Sequence, residues 1–248
     1  MQKIWVCGAR GQIGQAVNDV VDKLEFEMLD TDVDDLDVTD TDEVLRFGEM
    51  NRPDIIINCS GMTDISSCEE NPSQAFKVNA LGARNLAIVA AKMQAKMVQL
   101  STDDVFDGKS TEPYTEFDIT NPGTVYGKSK LAGENYVKEF TTKHFIVRST
   151  WVYGKGQNFI NGFLKKVDAG EQLSIASDQF GSPTSANELA RFLLHLVHTS
   201  EYGTYHATNK GVCSRYAFAQ EILKMTGKTA SMQPVPTVMS DFSKVRPA

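Results

Sequence analysis

Residues 4–14 read Ile-Trp-Val-Cys-Gly-Ala-Arg-Gly-Gln-Ile-Gly, and this stretch decides the fold. Its first four residues are apolar and predict a short buried strand, and the run from Gln15 to Leu24 predicts a helix. A strand, a glycine-rich loop and a helix, in that order, are the usual context in which a dinucleotide phosphate binds. The alternative is a plain glycine turn between a strand and a helix.

Three glycines, at Gly8, Gly11 and Gly14, have separate tasks in such a loop. Gly8 permits the tight turn, Gly11 lets the backbone approach a pyrophosphate, and Gly14 lets the helix pack closely on the strand. The N-terminus of the helix attracts the negative charge of the phosphates. The spacing is Gly-x-x-Gly-x-x-Gly, which differs from the commoner Gly-x-Gly-x-x-Gly.

An acidic residue closes the second predicted strand, which covers residues 25–29. Asp30 lies 22 residues after Gly8, close to the spacing of the acid that binds an adenosine ribose. An anion there repels a 2′-phosphate and favours NAD over NADP, whereas Arg10 in the glycine loop is able to reach that phosphate. Both cofactors therefore stay open. The acidic run from Asp32 to Asp42 fits no calcium-loop spacing and indicates a solvated loop.

Strands and helices continue to alternate up to residue 154. The apolar run at 54–58 is typical of a parallel strand covered on both faces, and small residues that suit a ligand follow it at 59–63. Pro72 begins a long helix that runs to Met93 and carries Asn79, either as a surface amide or as a buried anchor. The next strand, at 96–100, leads into Thr102. This order predicts an α/β fold with a Rossmann-type doubly wound parallel sheet, which binds ligands at the carboxyl ends of its strands.

The rhythm of the sequence changes after residue 155. Helices are predicted at 159–168, 185–198 and 215–225, and strands at 172–175 and 203–207. We predict that residues 1–154 form a dinucleotide-binding Rossmann domain. Residues 155–248 are predicted to form a smaller C-terminal substrate-binding subdomain that is interleaved with the last strands of the sheet.

A tyrosine and a lysine four residues apart form the candidate proton donor. On a helix, Tyr126 and Lys130 share one face, and an ammonium group beside a phenol favours phenolate and lowers the pKa of the phenol. Thr102, at the end of its strand, is placed to hydrogen-bond the same substrate oxygen. The alternative is an exposed lysine and a half-buried tyrosine on an amphipathic helix.

Composition excludes several classes of partner. The net charge of −7 argues against a nucleic-acid or anionic-membrane surface, and no apolar run is long enough to span a bilayer. The 4 cysteines form no Cys-x-x-Cys pair and indicate free thiols in a reducing cytoplasm. The 4 histidines have no nearby residues that complete a ligand set, so no metal ligand is predicted.

Taken together, these motifs resemble those of the extended short-chain dehydrogenase/reductases and, among them, the dTDP-4-dehydrorhamnose reductase family. The matching stretches are residues 8–14, 100–108, 121–130, 148–154 and 178–184, in family order over nearly the whole chain. The resemblance implies an NAD(P)H-dependent oxidoreductase. Its reaction would reduce the C4 ketone of dTDP-4-dehydro-6-deoxy-L-mannose to dTDP-L-rhamnose by hydride transfer. Some members form homodimers through a Mg²⁺ site of acidic residues, which has no assignable positions in this sequence.

The resemblance also implies roles for individual residues. Tyr126 would protonate the forming alkoxide, Lys130 would tune Tyr126 and hold the nicotinamide ribose, and Thr102 would hydrogen-bond the reacting oxygen. The positions that match sugar contacts are Thr102, Asp103 and Trp151. Together with the residue-level analysis, the expected cofactor contacts are Gly8, Gly11, Gln12, Ile13, Gly14, Asp30, Asp37, Val38, Ser60, Gly61, Met62, Asn79, Leu100, Tyr126 and Lys130.

Two departures from the family pattern fall in the expected sugar site. Asp104 stands where these reductases usually have tyrosine, and residues 60–66 differ from the usual Ala-Ala-Tyr-Thr-x-Val-Asp. Asp103-Asp104 also resembles the Asp-Glu pair of nucleotide-sugar dehydratases, so a dehydratase or epimerase of the same superfamily is one alternative. A non-catalytic NAD(P)-binding regulatory subunit is the other.

Overall fold

Short apolar runs separated by helical stretches give the chain alternating strands and helices, which a computed structural model describes for residues 1–239. The strands of this part are, in chain order, β1 (Gln2–Cys7), β2 (Phe26–Thr31), β3 (Ile55–Asn58), β4 (Lys96–Thr102), β5 (His144–Ser149), β6 (Val152–Tyr153), β7 (Leu173–Ala176), β8 (Phe180–Gly181), β9 (Thr184–Ser185), β10 (Gly203–His206), β11 (Cys213–Ser214) and β12 (Met232–Val235). The α-helices are α1 (Gln12–Val20), α2 (Thr41–Asn51), α3 (Ile65–Glu70), α4 (Pro72–Phe76), α5 (Ala83–Met93), α6 (Val125–Phe140), α7 (Phe159–Asp168), α8 (Ala186–Val197) and α9 (Arg215–Thr226). A π-helical turn (Lys77–Gly82) joins α4 to α5, and 3₁₀ turns cover Asp103–Val105 and Thr237–Met239.

The central sheet has the strand order β2-β1-β3-β4-β5-β10, and every neighbouring pair is parallel. β2 lies on one side of β1 and the later strands lie on the other, so the winding reverses between β1 and β3. Cys7 and Asn58 are register partners at the carboxyl ends of these two strands. Open α/β sheets bind ligands in the crevice at such a reversal. The predicted Rossmann-type doubly wound sheet is confirmed.

Alternate residues of the strands face two different layers of helices. Ile4 and Val6 pack with residues of α1 and α8 on one face, and Trp5 and Ile56 pack with residues of α2 and α5 on the other. Because both faces are covered at the centre of the sheet, β3 and the buried part of β1 are continuous apolar runs, whereas the edge strand β2 carries exposed Glu27 and Asp30. Each large side chain that is fully buried in this way contributes about 1.5–3 kcal/mol to folding.

Polar side chains fix where several helices begin. Asp40 accepts a hydrogen bond from Glu43 N at 2.9 Å, and Thr124 accepts one from Gly127 N at 3.0 Å. Each cap satisfies an N–H group that no carbonyl of its own helix can reach. The cap at Thr124 places Tyr126 in the first turn of α6.

Three predicted elements differ clearly from the observed ones. The first helix, predicted from Gln15 to Leu24, covers Gln12–Val20, because it begins directly after Gly11 of the glycine loop. The second strand is Phe26–Thr31, so Asp30 lies inside β2 and not after it. The single helix predicted from Pro72 to Met93 is divided by the π-helical turn into α4 and α5. Asn79 lies in this turn and is buried, which favours the buried-anchor interpretation. Single π-helical turns within helices are frequent at functional sites.

The C-terminal half adds three short sheets to the central one. β7 pairs with β12, β6 with β9 and β8 with β11. Phe163 of α7, Ile175 of β7 and Ile222 of α9 belong to a separate small core. By contrast, α8 packs on α1 and β10 joins the central sheet. No helix within residues 1–239 is both long enough and apolar enough to cross a membrane.

Candidate active site

The glycine loop lies at the carboxyl end of β1 and is shaped by close backbone contacts. Gly8 has φ +75°, and a Cβ atom there would lie 2.8 Å from Ser60 N. A Cβ atom on Gly14 would lie 2.4 Å from the carbonyl oxygen of Gly8. Side chains at these positions would fill the cradle between the loop, the start of α1 and the end of β3. The cradle therefore fits the phosphates of a dinucleotide, which need close approach of the backbone.

Charged residues surround the expected adenosine end of the crevice. Arg10 Nη1 and Nη2 contact Asp34 and Asp35 at 2.7 and 2.5 Å, and Arg10 N donates to Asp32 Oδ2 at 2.8 Å. Asp30 is exposed on β2. Arg10, which sequence analysis considered as a partner for a 2′-phosphate, is thus held by carboxylates of the loop after β2.

The two other residues expected at this end differ in exposure. Asp37 is exposed, and its carboxylate accepts a hydrogen bond from Thr39 N at 2.8 Å. Val38 is buried, and its Cγ2 would lie 2.8 Å from a Cβ atom on Gly82. The side chain of Val38 belongs to the core, so any cofactor contact by Val38 would have to come from its backbone.

The loop after β3 is tied to the π-helical turn and to α6. Asn79 Oδ1 accepts from Met62 N at 2.8 Å, and Asn79 Nδ2 donates to Met62 O and to Ser129 Oγ, both at 2.9 Å. A Cβ atom on Gly61 would lie 3.6 Å from Lys130 Nζ. Ser60 donates to Asn58 Oδ1 through its hydroxyl at 2.5 Å. These contacts bring Ser60, Gly61, Met62, Asn79 and Lys130 together at the crevice.

Tyr126 and Lys130 are both buried on α6, at 8% and 5% exposure. Tyr126 packs with Cys68 and Ala75, with Met62 against the same cluster. A Cβ atom on Gly127 would lie only 2.0 Å from Asp104 O, so α6 lies directly against the turn that follows β4. The predicted pair is therefore buried, with Lys130 Nζ near Gly61, and the alternative of an exposed lysine and a half-buried tyrosine is wrong.

The charge state of Lys130 depends on its surroundings. Burial lowers the pKa of Lys130 from 10.5 to about 8, and the carboxylate of Glu134 opposes this change. Cys59 would also oppose it as a thiolate, but burial raises the pKa of Cys59 to about 12. Cys59 is consequently a neutral thiol at neutral pH, and Glu134 is the anion that helps to keep Lys130 charged.

Thr102 is connected to two residues beyond β4. Thr102 Oγ1 donates to Asp103 Oδ1 at 3.0 Å and accepts from Asp104 N at 3.2 Å. The other carboxylate oxygen, Asp103 Oδ2, accepts from Thr150 Oγ1 at 2.5 Å. Sequence analysis did not identify Thr150, because 47 residues separate it from Asp103 and no local motif joins them.

A cavity of about 750 Å³ opens beside this group, and Asp103 and Trp151 are both part of its lining. Trp151 has φ +46°, and the guanidinium of Arg215 lies 3.6 Å from the centroid of its ring. A Cβ atom on Gly181 would lie 2.6 Å from the same ring, so glycine is required there. The size suits a small organic ligand of several rings.

A buried ion pair that sequence analysis missed connects α6 to β5. Glu134 accepts from Arg148 Nε at 2.9 Å, from Arg148 Nη2 at 2.7 Å and from Ser101 Oγ at 2.5 Å. Glu134 is fully buried. Arg148 Nη1 also lies 3.5 Å from His206 Nε2, and burial lowers the pKa of His206. The i, i+4 spacing on α6 marks Glu134 as a neighbour of Lys130, but no local spacing joins Glu134 to Arg148.

Three further residues were predicted to contact the cofactor: Gln12 and Ile13 at the start of α1, and Leu100 on β4. Gln12 Nε2 donates to Val152 O at 3.0 Å, and Gln12 Oε1 accepts from Asn158 Nδ2 at 3.0 Å. Ile13 is half-buried against the core. Leu100 is buried in β4, and its carbonyl accepts from Gln99 Nε2 at 2.9 Å.

Within residues 1–239 there is no group of three or more His, Cys, Asp or Glu side chains that could hold a metal ion.

Comparison with known proteins finds relatives along the whole chain. The family model described as "RmlD substrate binding domain" matches residues 1–248. A relative from Bacillus subtilis (strain 168), "Spore coat polysaccharide biosynthesis protein SpsK", is 34% identical over 249 residues, which cover 100% of this chain and 88% of the relative.

Two solved structures have closely similar folds. A dTDP-4-dehydrorhamnose reductase from Clostridium acetobutylicum has a TM-score of 0.95 and 42% identity, over 100% of this chain and 87% of that one. A dTDP-4-dehydrorhamnose reductase from Bacillus anthracis, solved in complex with NADP, has a TM-score of 0.96 and 38% identity, over 100% of this chain and 89% of that one.

Proposed function

Because this chain belongs to the family described as RmlD substrate binding domain, we propose that it reduces a dTDP-linked ketosugar with NAD(P)H. The substrate is dTDP-4-dehydro-6-deoxy-L-mannose, and the product is dTDP-L-rhamnose. The observation that carries the proposal is the buried Tyr126–Lys130 pair on α6, with Lys130 facing Gly61 beside the glycine loop. The structures of similar reductases support the same reaction.

The residues of this chain have three tasks in the reaction. When bound, the nicotinamide supplies the hydride. Tyr126 donates a proton to the oxygen that becomes the C4 hydroxyl, and the ammonium of Lys130 stabilises the phenolate that remains. Thr102 contributes a hydroxyl beside the same oxygen. Burial of all three side chains excludes water, which strengthens each of these electrostatic interactions.

The binding residues divide between two parts of the chain. The glycine loop, Ser60, Gly61 and Met62 hold the dinucleotide, and we keep residues 1–154 as the dinucleotide-binding part. Residues 155–248 are the substrate-binding part, of which residues 240–248 lie outside the described structure. The cavity proposed for the sugar is lined by Phe180, Ser182 and Val212 of the substrate-binding part, and this supports the assignment of that part. Asp103 and Trp151 of the first part line the same cavity, so the sugar contacts both parts.

The location and assembly of the protein also remain proposals. Its four cysteines are free thiols, which supports a reducing cytoplasm. A homodimer stays a prediction that follows from the family resemblance. Membership of the family supports a nucleotide sugar as the small molecule that this protein binds.

A dehydratase on the same fold is the second candidate, since Asp103-Asp104 resembles the acidic pair of those enzymes. Elimination of water requires a carboxyl group that exchanges protons with the substrate. Both oxygens of Asp103 are instead hydrogen-bonded to the hydroxyls of Thr102 and Thr150. This arrangement supports the reductase.

The test is to mix the protein with NADPH or NADH and dTDP-4-dehydro-6-deoxy-L-mannose and to follow the nicotinamide absorbance. We expect oxidation of the cofactor in proportion to the sugar reduced. A parallel reaction with dTDP-glucose and NAD tests for the dehydratase, which would release water with no net use of cofactor. Binding of cofactor without turnover of either sugar would indicate a regulatory subunit.

A further inference from the structure

The hydroxyl of Thr102 has one proton, and in this structure that proton is directed to a carboxylate. Thr102 Oγ1 donates to Asp103 Oδ1 at 3.0 Å, while Asp104 N donates to Thr102 Oγ1 at 3.2 Å. A hydroxyl group has a single donor, so Thr102 cannot donate to a substrate oxygen and to Asp103 at the same time. The strength of Asp103 as an acceptor therefore decides whether Thr102 is available to the substrate.

The other oxygen of the same carboxylate is bonded to Thr150. We propose that Thr150 is a positioning residue, which acts through Asp103 to set the direction of the Thr102 hydroxyl; the proposal rests on the ketone reduction proposed above. Thr150 Oγ1 donates to Asp103 Oδ2 at 2.5 Å, a length typical of a strong hydrogen bond to an ionised carboxylate. This bond withdraws charge from the carboxylate and fixes its rotation.

The fold brings the three residues together. Thr102 and Ser149 are register partners at the ends of β4 and β5, so Thr150, the next residue, lies beside Asp103. Thr102 and Thr150 are 4% and 8% exposed, and Asp103 and Thr150 lie at the wall of the cavity. In a site with low exposure, hydrogen-bonded groups polarise one another and act as a unit.

The consequence for the reaction follows from competition for one proton. With Thr150 in place, Asp103 is a weakened acceptor, and the oxygen of the substrate, which becomes negative during reduction, takes the Thr102 proton from it. Without the Thr150 hydroxyl, Asp103 binds that proton more strongly. The stronger bond removes a donor from the transition state while the dinucleotide site stays intact.

The experiment compares three variants with the wild-type enzyme. Thr150→Val removes the hydroxyl at nearly constant volume, and Thr150→Ser retains it. Thr141→Val is the matched control, since Thr141 is buried at 6% exposure near the opposite end of β5. We expect Thr150→Val to lower kcat by roughly ten- to a hundredfold, the range for loss of a hydrogen bond to a charged group. The Kd for NADPH, measured by fluorescence, should stay constant, and Thr150→Ser and Thr141→Val should be close to wild type.

Several outcomes would overturn the proposal. They are a wild-type kcat in Thr150→Val, a change confined to the KM of the sugar, or failure of Thr150→Ser to restore kcat. A crystal structure of Thr150→Val gives a readout that needs no turnover: the contact between Asp103 Oδ1 and Thr102 Oγ1, 3.0 Å in the wild type, should shorten, and an unchanged or broken contact would contradict the proposal. A wild-type enzyme that does not reduce the ketosugar would instead refute the proposed function.

Discussion

The phenol of Tyr126 has the most demanding task of any single side chain in this account. Tyr126→Phe removes one oxygen atom from a side chain that is 8% exposed, so the packing of α6 should be unchanged. We expect kcat to fall by about 10²–10⁴, the usual contribution of a general acid. Steady-state kinetics and fluorescence titration of NADPH measure the two effects separately. Retention of near-normal kcat would remove Tyr126 from the role.

The buried charge of Lys130 should lower the free energy of unfolding, although the same charge has a role in the proposed reaction. Its pKa is about 8 in the folded protein against 10.5 for the ordinary group, so the unfolded chain holds this proton more strongly. Stability therefore rises with pH from about 8 to 10.5 as the buried charge is lost. At pH 7 the penalty is fully present, and Lys130→Met should raise the free energy of unfolding by ~1–3 kcal/mol.

Urea denaturation of the cofactor-free protein at pH 7 and pH 10 measures this effect. The gain from Lys130→Met should shrink at pH 10, because wild-type Lys130 is then largely neutral. Turnover of the variant should be lost at both pH values. A variant less stable than wild type at pH 7 would mean that the charge of Lys130 is compensated by its neighbours.

Sequence reasoning predicted the pair that local spacing brings together and missed the contacts that form between residues distant in the chain. Tyr126 and Lys130 are four residues apart, so a helix places them together. Thr150 and Asp103 are brought together by the register of β4 and β5, and the Glu134–Arg148 pair by the packing of α6 on β5. No pattern within the chain encodes these contacts, because each partner taken alone is an ordinary polar residue.

At the scale of elements, the contact of α6 with the turn after β4 sets the distance between Tyr126 and Thr102. A Cβ atom on Gly127 would lie 2.0 Å from Asp104 O, which is backbone and cannot rotate away. Gly127→Ala should therefore push α6 outward and lower the free energy of unfolding by about 2–3 kcal/mol, as overpacking does. The kcat should also fall, because the shift of α6 changes the distance between Tyr126 and Thr102 and does not act only through the fraction of folded protein.

Gly162→Ala on α7 is the control for this substitution. Nothing lies within 4 Å of a Cβ atom at Gly162, so alanine there should stabilise the helix by about 0.5–1 kcal/mol. Urea denaturation and kcat of both variants give the comparison. Equal free energies of unfolding for the two variants would show that α6 can shift without a loss of stability.

The elements themselves were predictable where one pattern covers one element. Helix α7 has the predicted bounds, and β3 lies within its predicted apolar run. The division of Pro72–Met93 was not predictable, since a π-helical turn leaves the apolar spacing almost unchanged. The reason for that turn lies elsewhere, in the bonds from Asn79 to Met62 and Ser129.

At the scale of the whole molecule, charge should decide which cofactor is preferred. Arg10 is held by Asp34 and Asp35, so binding of a 2′-phosphate requires Arg10 to exchange partners close to two carboxylates. We expect the double variant Asp34→Asn/Asp35→Asn to tighten NADPH binding relative to NADH by roughly three- to tenfold, a modest effect because exposed ion pairs are weak. Asp168→Asn, a surface acid on α7, serves as the control. An unchanged ratio of the two Kd values would place the 2′-phosphate away from Arg10.

The central claim is that hydride passes from the nicotinamide in the crevice at the glycine loop to C4 of the sugar. The direct measurement uses NADPH with deuterium at both C4 positions of the nicotinamide, together with dTDP-4-dehydro-6-deoxy-L-mannose, and analyses the product by mass spectrometry and NMR. The account predicts dTDP-L-rhamnose with a single deuterium at C4 and one cofactor oxidised per sugar. A product without deuterium, or a changed sugar with the cofactor still reduced, would contradict it.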